Sequence, residues 1–337
     1  MTSYQFIWFL LIGVLFSGFF FLEGFDFGIG MSVRFFAKNR AERDTVIQTI
    51  GPHWDGNEVW LITAGGAMFA SFPMWYASLF SGYYIVLFLI LVALIFRGVS
   101  FEFRANMQTE KWRNFWEWAS TIGSFCAAFL FGMMFTSMIE GVPIDKNGDI
   151  YGTFTTYVNW FSIVGGVAVS LLCFIHGLNF LRLKTSGELR ERAEKWSKIL
   201  YPVLLAGEVV FVILLYLTTD FFTRKPVSTW SILIALVIFT LAAWWGEQSS
   251  HDWASFIASG LSLISIVVLI FNGLFPRVMI ATNSANSILI KNASSSPYTL
   301  HLMTILTFTI LPIVLVYFIW SYWVFYKRIK SPKQAVE

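Results

Sequence analysis

Charge is what this 337-residue sequence has least of. Only 13% of its residues are Asp, Glu, Lys or Arg, against 57% hydrophobic and 19% aromatic. A soluble domain carries roughly 25% charged residues, and so little charge cannot cover a globule of this length. A soluble enzyme, a disordered chain and a fibre are excluded. Cysteine is rarer still: Cys126 and Cys173 both lie inside long apolar runs, which argues against a disulfide framework. Histidine occurs four times, as His53, His176, His251 and His301, and no Cys-x-x-Cys-His motif is present. Direct haem ligation by this chain is therefore not expected. The net charge of +3 is too small for a nucleic-acid partner. No basic stretch precedes the first apolar run, so the N-terminus is expected to be a retained span and not a removed signal peptide.

What is present in quantity is unbroken apolar sequence. A bilayer crossing needs about 20 apolar residues per helix. Nine such runs are expected: Gln5–Ser32, His53–Phe72, Trp75–Phe96, Phe115–Ile139, Tyr157–Leu181, Ile199–Leu217, Thr229–Gly246, Phe256–Phe275 and His301–Tyr326. They lack the short alternating stretches of β-barrel strands. The expected fold class is thus all-α, a single polytopic membrane domain over residues 1–337. Eight spans can form two four-helix bundles with one helix peripheral.

With the N-terminus outside and the C-terminus cytoplasmic, eighteen Lys and Arg fall in inner segments and five outside. The inner set is Arg34, Lys38, Arg40 and Arg43; Arg97, Arg104, Lys111 and Arg113; Arg182, Lys184, Arg190, Arg192, Lys195 and Lys198; and Lys327, Arg328, Lys330 and Lys333. The positive-inside rule selects this orientation. The outer segments Glu140–Thr156 and Pro276–Leu300 read as ordinary polar connections.

Ionisable residues at membrane depth are expensive and mark function by default. Two clusters qualify, both near the inner ends of the first two spans. In the first, Glu23 and Asp26 are three apart and share a helix face, while Gly24 and Gly28 form a small-xxx-small pair that admits a neighbouring helix. The first run is longer than the hydrocarbon core, so Asp26 in the headgroup layer is the competing placement. In the second cluster, His53, Asp55, Asn57 and Glu58 precede Val59–Phe72. These fourteen residues cover only about 21 Å at 1.5 Å each, short of the roughly 30 Å core. Either Asp55–Glu58 then sit at membrane depth as a polar lane or the bilayer thins around the span; the competing reading is a helix N-cap by Asp55 with His53 in the interface. Burial and mutual repulsion favour the protonated form of a carboxyl, so four acids at one inner entrance suit proton uptake. Gly65 and Gly66 are expected to permit close helix packing.

Weaker candidates follow. His176 is expected to be a satisfied polar contact, and Glu208 a relay member or an interhelical hydrogen bond. Glu247, His251 and Asp252 are expected to be solvated. Glu102, Glu110 and Glu117 are expected to form surface ion pairs with Arg104, Lys111 and Arg113.

The stretch Gly24-Phe25-Asp26-Phe27-Gly28, with Pro52-His53-Trp54-Asp55-Gly56-Asn57-Glu58-Val59-Trp60 continuing to Gly65-Gly66, resembles subunit II of the cytochrome bd quinol oxidases. Arg97-Gly98-Val99, Lys111-Trp112-Arg113-Asn114, Gly141-Val142-Pro143 and Thr185-Ser186-Gly187-Glu188-Leu189 extend the likeness over nearly the whole chain. The resemblance implies a heterodimer in the bacterial cell membrane with a haem-bearing subunit I, which holds two b-type haems and one d-type haem. It implies quinol oxidation coupled to reduction of dioxygen to water, with protons drawn from the cytoplasm and no pumping. It also allows a small accessory subunit and a quinone bound here. On this likeness Asp55 leads the proton-path candidates and Asp26 neighbours it. The sequence departs where some members carry Gln at Glu58, and its Thr218–Ser228 connection is shorter than in other relatives. Two readings compete: a proton-coupled secondary transporter, against which no pair of interrupted helices stands, and a purely structural membrane scaffold.

Overall fold

The computed structural model describes residues 1–107 and 109–329; Lys330 and Lys333 lie outside the described residues. Fourteen helices are formed among them: α1 (Ser3–Phe35), α2 (Arg40–Ile50), α3 (Trp54–Ser71), α4 (Pro73–Gly82), α5 (Tyr84–Asn106), α6 (Glu110–Glu140), α7 (Phe154–Tyr157), α8 (Trp160–Lys184), α9 (Glu188–Thr218), α10 (Phe221–Arg224), α11 (Pro226–Gln248), α12 (Asp252–Leu274), α13 (Ile290–Ala293) and α14 (Pro297–Val324). Local chemistry sets their starts. Thr2 and Gln5 form a reciprocal capping box at α1, Asn159 and Ser162 do so at α8, and Pro opens α4, α11 and α14, where a missing N–H costs nothing.

Among the described residues, α1, α5, α6, α8, α9, α11, α12 and α14 are long and apolar enough to cross a membrane. The second expected span, α3, is an 18-residue helix outside that set, because Asp55 and Glu58 dilute its apolar character. It nonetheless runs antiparallel along α1, with Asn57 beside Asp26 at one end and Trp60 against Gly18 further on. The third expected span needs correction. Trp75–Phe96 is not continuous but splits at Tyr83 into α4 and α5. Helix α5 then continues past Phe96 to Asn106, so Arg97 and Arg104 lie on a helix and are buried.

The long helices gather into two four-helix groups. One holds α1, α3, α5 and α6; the other holds α8, α9, α11 and α12. They meet where α1 and α6 pack on α8, and α1 on α12. Helix α14 is peripheral, touching α1 and α3, with Leu300 its one residue classed as buried. At the central crossing, a Cβ on Gly28 would stand 2.2 Å from the Cys173 carbonyl oxygen and 2.7 Å from the Gly177 Cα. The small-residue expectation holds there. It fails at Gly65 and Gly66, which meet nothing within 4 Å and instead line an open apolar cleft of about 680 Å³ with Phe69, Tyr76 and Phe88.

The outer connections are more ordered than their polarity suggested. Strands β1 (Arg277–Met279) and β2 (Ile288–Leu289) pair antiparallel, Val142 bridges to Ala281, and Val278, Met279 and Ile290 are buried. Arg277 holds Asp220 through two bonds of 2.6 and 2.9 Å. On the opposite side, helix α2 is clamped to α9. Asn39 caps its N-terminus, and Glu42 accepts from the Lys38 backbone N–H and from both terminal nitrogens of Arg192, at 2.7 and 2.8 Å.

Two outcomes are expected. Gly28→Leu overpacks the α1–α8 crossing and lowers stability by about 1–3 kcal/mol or more, whereas Gly65→Ala leaves it unchanged; thermal unfolding of the solubilised protein separates them. The Arg192 hydrogen bonds hold the Glu42 carboxyl below the usual carboxylate range. Its stabilising contribution is therefore full above the free-glutamate range and is lost as pH falls through the folded value. Amide protection in α2, taken relative to the intrinsic exchange rate at each pH, should fall on acidification in the wild type and be low at every pH in Glu42→Gln.

Candidate functional site

Helices α1, α3 and α5 bring the acidic residues of both sequence clusters to one guanidinium. Close approach sets the geometry: Gly123 of α6 lets that helix press on α5, where a Cβ would lie 2.6 Å from the Ala93 carbonyl oxygen and 3.2 Å from the Arg97 Cβ. Arg97 is thereby driven inward, its guanidinium carbon 5.2 Å from the Phe27 ring centroid and 5.5 Å from that of Phe101. Both rings offer it a π face, the geometry of a cation–π contact.

Around Arg97 the carboxylates close in. Arg97 Nη1 lies 2.5 Å from Glu23 Oε1 and 2.6 Å from Glu58 Oε1, and Nη2 lies 3.9 Å from Asp26 Oδ2. Glu23, Asp26 and Arg97 are fully buried, and the Glu58 side chain retains 24% exposure. Asn57 Nδ2 donates to Asp26 Oδ2 at 2.7 Å, and the Tyr322 hydroxyl of α14 donates to Asn57 Oδ1 at 2.8 Å. Glu23 Oε2 and Asp26 Oδ1 are buried with no hydrogen-bond partner. Buried polar atoms in that state take water where there is room.

The two sequence clusters therefore converge, with Asp26 buried inside the helix bundle and not facing solvent. Asp55 behaves differently. It is exposed on this chain, one helical turn before Glu58, and His53 rather than Asp55 occupies the N-cap position of α3, without a side-chain cap bond. His53 is buried and stacked on Tyr322, with ring centroids 4.1 Å apart and planes at 6°. Composition does not mark Arg97 as the centre of the site, because it follows an apolar run and reads as a loop cation. Its signal is the Arg97-Gly98 pair one helical stretch away from two acid clusters with no basic residue of their own.

The remaining candidates sort by burial. His176 has both ring nitrogens engaged, 2.8 Å from Ser259 Oγ and 3.0 Å from the Phe21 carbonyl, and stacks on Phe256. It is a satisfied polar contact with no free lone pair for a ligand. Glu208 accepts from Thr240 Oγ1 at 2.6 Å across α9 and α11. Two expectations are corrected. Glu247 and Asp252 are buried, not solvated: Glu247 pairs with Arg182, and Asp252 is shared by Arg182, Arg190 and Arg328 at 2.9, 2.8 and 2.7 Å. His251 alone of that group is exposed, stacked on Trp245. Glu117 is likewise buried and receives Arg34, Arg43 and Arg104 at 3.0, 3.3 and 3.0 Å, while Glu102 and Glu110 stay exposed. Helices longer than the apolar runs explain both errors, since α6, α11 and α12 carry these charges inward with the bundle. His301 is exposed and bonds the Tyr4 hydroxyl at 2.7 Å. Among the described residues, no group of three or more His, Cys, Asp or Glu is arranged to hold a metal ion.

Comparison with known proteins agrees with this architecture. The chain is 46% identical over 331 residues to cytochrome bd ubiquinol oxidase subunit 2 of Bacillus subtilis (strain 168), covering 98% of each. It is 36% identical to cytochrome bd-I ubiquinol oxidase subunit 2 of Escherichia coli (strain K12), covering 96% of this chain and 95% of that one. A chain from the structure of the bd oxidase of Geobacillus thermodenitrificans superposes with a TM-score of 0.72 at 15% identity, over 96% of this chain and 99% of that one, and so shares the fold. The family model for cytochrome bd terminal oxidase subunit II matches residues 4–325. This multi-pass protein of the bacterial plasma membrane belongs to the subunit II family of the cytochrome bd terminal oxidases.

Proposed function

We propose that this chain partners a haem-bearing subunit I in a quinol-oxidising, dioxygen-reducing complex, and that it delivers cytoplasmic protons to that partner through the Arg97 cluster. The haems of subunit I supply electron transfer to dioxygen. This chain holds and moves protons, and its folding surface supports assembly of subunit I.

One observation carries the proposal: three carboxylates face a single buried guanidinium. If all ionised, Glu23, Asp26 and Glu58 would leave two uncompensated negative charges around Arg97, a costly state at low dielectric. The cluster relieves that cost by retaining protons. Its members are ordered in depth. Asp55 lies at the exposed inner end of α3, Glu58 one turn further, then Asp26, then Glu23 one turn deeper along α1. His53 and Tyr322 flank the mouth, and Tyr322–Asn57 ties α14 to Asp26. Water at the unpaired Glu23 Oε2 and Asp26 Oδ1 would bridge successive acids. Helix α3 is taken as the ninth crossing, which keeps the N-terminus outside and the basic ends inside.

The test is mutational. Asp26→Asn and Glu58→Gln should leave the visible haem bands of the purified complex intact and lower oxygen consumption about a hundredfold or more, within the 10²–10⁴ range that proton-transfer groups contribute. Asp55→Asn should have a smaller effect, because an exposed site is bypassed by water. Removing the cation by Arg97→Gln leaves buried acids unpaired, which typically costs about 3–5 kcal/mol, and should lose the haem bands altogether. Unchanged turnover in both Asp26→Asn and Glu58→Gln contradicts the proton role; loss of assembly alone in those two variants favours the scaffold reading.

A further inference from the structure

At the inner end of α14 a cavity of about 620 Å³ separates that helix from α8 and α12, within the size range that accepts a drug-sized ligand. Its rim carries Lys184, Lys327 and Arg328, and its wall carries Phe180, Trp253 and Trp323. The cations are unequally balanced. Arg328 is paired to Asp252 at 2.7 Å and to the Leu183 carbonyl at 3.2 Å. Lys184 is 8% exposed, and its ammonium donates to the Phe325 carbonyl and lies 6.0 Å from the Phe180 ring centroid. No carboxylate pairs with it among the described residues. A buried ammonium without a counter-anion is an expensive arrangement, and here it borders an open cavity beside the exposed Lys327.

We infer that this cavity is a binding site for an anionic phospholipid of the inner leaflet, its phosphate between Lys184 and Lys327 and its acyl chains along the aromatic wall and α14. Charge complementarity selects the head, since basic pockets between helices on the cytoplasmic side recognise anionic headgroups. Position selects a lipid over a soluble anion. Every lining element ends on the face where the basic residues collect, and Trp253, Trp323 and Tyr326 stand at that level as interfacial aromatics do. The backbone locks the rim: the Ile329 N–H donates to the Lys184 carbonyl at 2.7 Å. The lipid would fill the gap that α14 leaves because it packs so little against the body. His53 and Tyr322 also line the cavity, so the lipid site adjoins the mouth of the proposed proton route; its test reads lipid binding and no turnover.

The complex is extracted in mild detergent, washed, and its retained phospholipids are counted by native mass spectrometry. Wild type should keep one anionic phospholipid that the Lys184→Gln/Lys327→Gln variant loses, with zwitterionic lipids unchanged. Lys327→Gln alone, an exposed change that leaves folding intact, should weaken phosphatidylglycerol binding to delipidated protein about fivefold, the equivalent of ~1 kcal/mol for one basic residue at an anionic surface. Lys184→Arg should retain it. Equal anionic-lipid counts in wild type and double variant overturn the inference. So does equal thermal stabilisation by inorganic phosphate and by phosphatidylglycerol micelles, which would make the site one for a free anion, or equal stabilisation by phosphatidylcholine micelles, which would make it indifferent to charge.

Discussion

A single buried guanidinium organises the first half of this molecule. Arg97 reaches Glu23 on α1 and Glu58 on α3 with bonds of 2.5 and 2.6 Å, so three helices are tied together well inside the apolar bundle. The arrangement is stable only while cation and acids remain together, because each is costly to bury alone. It is also unbalanced, with more acid than base. Structural cohesion comes from the pairing, and capacity for protons comes from the imbalance. On the proposed function the same side chains serve both roles, which is why an uncharged replacement of an acid and of the arginine should differ in kind.

The two four-helix groups are built alike and furnished differently. Each contributes its first helix to the central crossing, where Gly28 and Gly177 let the backbones of α1 and α8 touch. In the second group the membrane-embedded acid Glu208 meets the hydroxyl of Thr240, not a guanidinium. The charged residues of that group instead gather at the inner end, where Arg182, Arg190 and Arg328 share Asp252. Unbalanced buried acid thus concentrates in the first group, and the second provides a rigid flank and a basic rim.

Much of this was legible in the sequence. The apolar runs located the spanning helices, and Glu23–Asp26 with Asn57–Glu58 named most of the site. Three features were not legible, each for a physical reason. Apolar-run length underestimates helix length, because helices α5, α6, α11 and α12 continue into charged sequence once neighbouring helices supply counter-charges. That hid the burial of Arg97, Glu117, Glu247 and Asp252. The break at Tyr83 divided a hydrophobic run that composition alone showed as one. Gly65 and Gly66 illustrate the converse, since small residues permit close packing without requiring it, and here they border a cleft.

The central claim is that the Arg97 cluster keeps at least one carboxyl protonated inside the membrane at neutral pH. Infrared spectroscopy of the purified complex tests it most directly, through the carbonyl stretch of a protonated carboxylic acid. The account predicts a band that shifts in heavy water and disappears or moves when Asp26 or Glu23 is replaced by its amide. A spectrum showing every acid of the cluster ionised, with no band altered by either replacement, would contradict it.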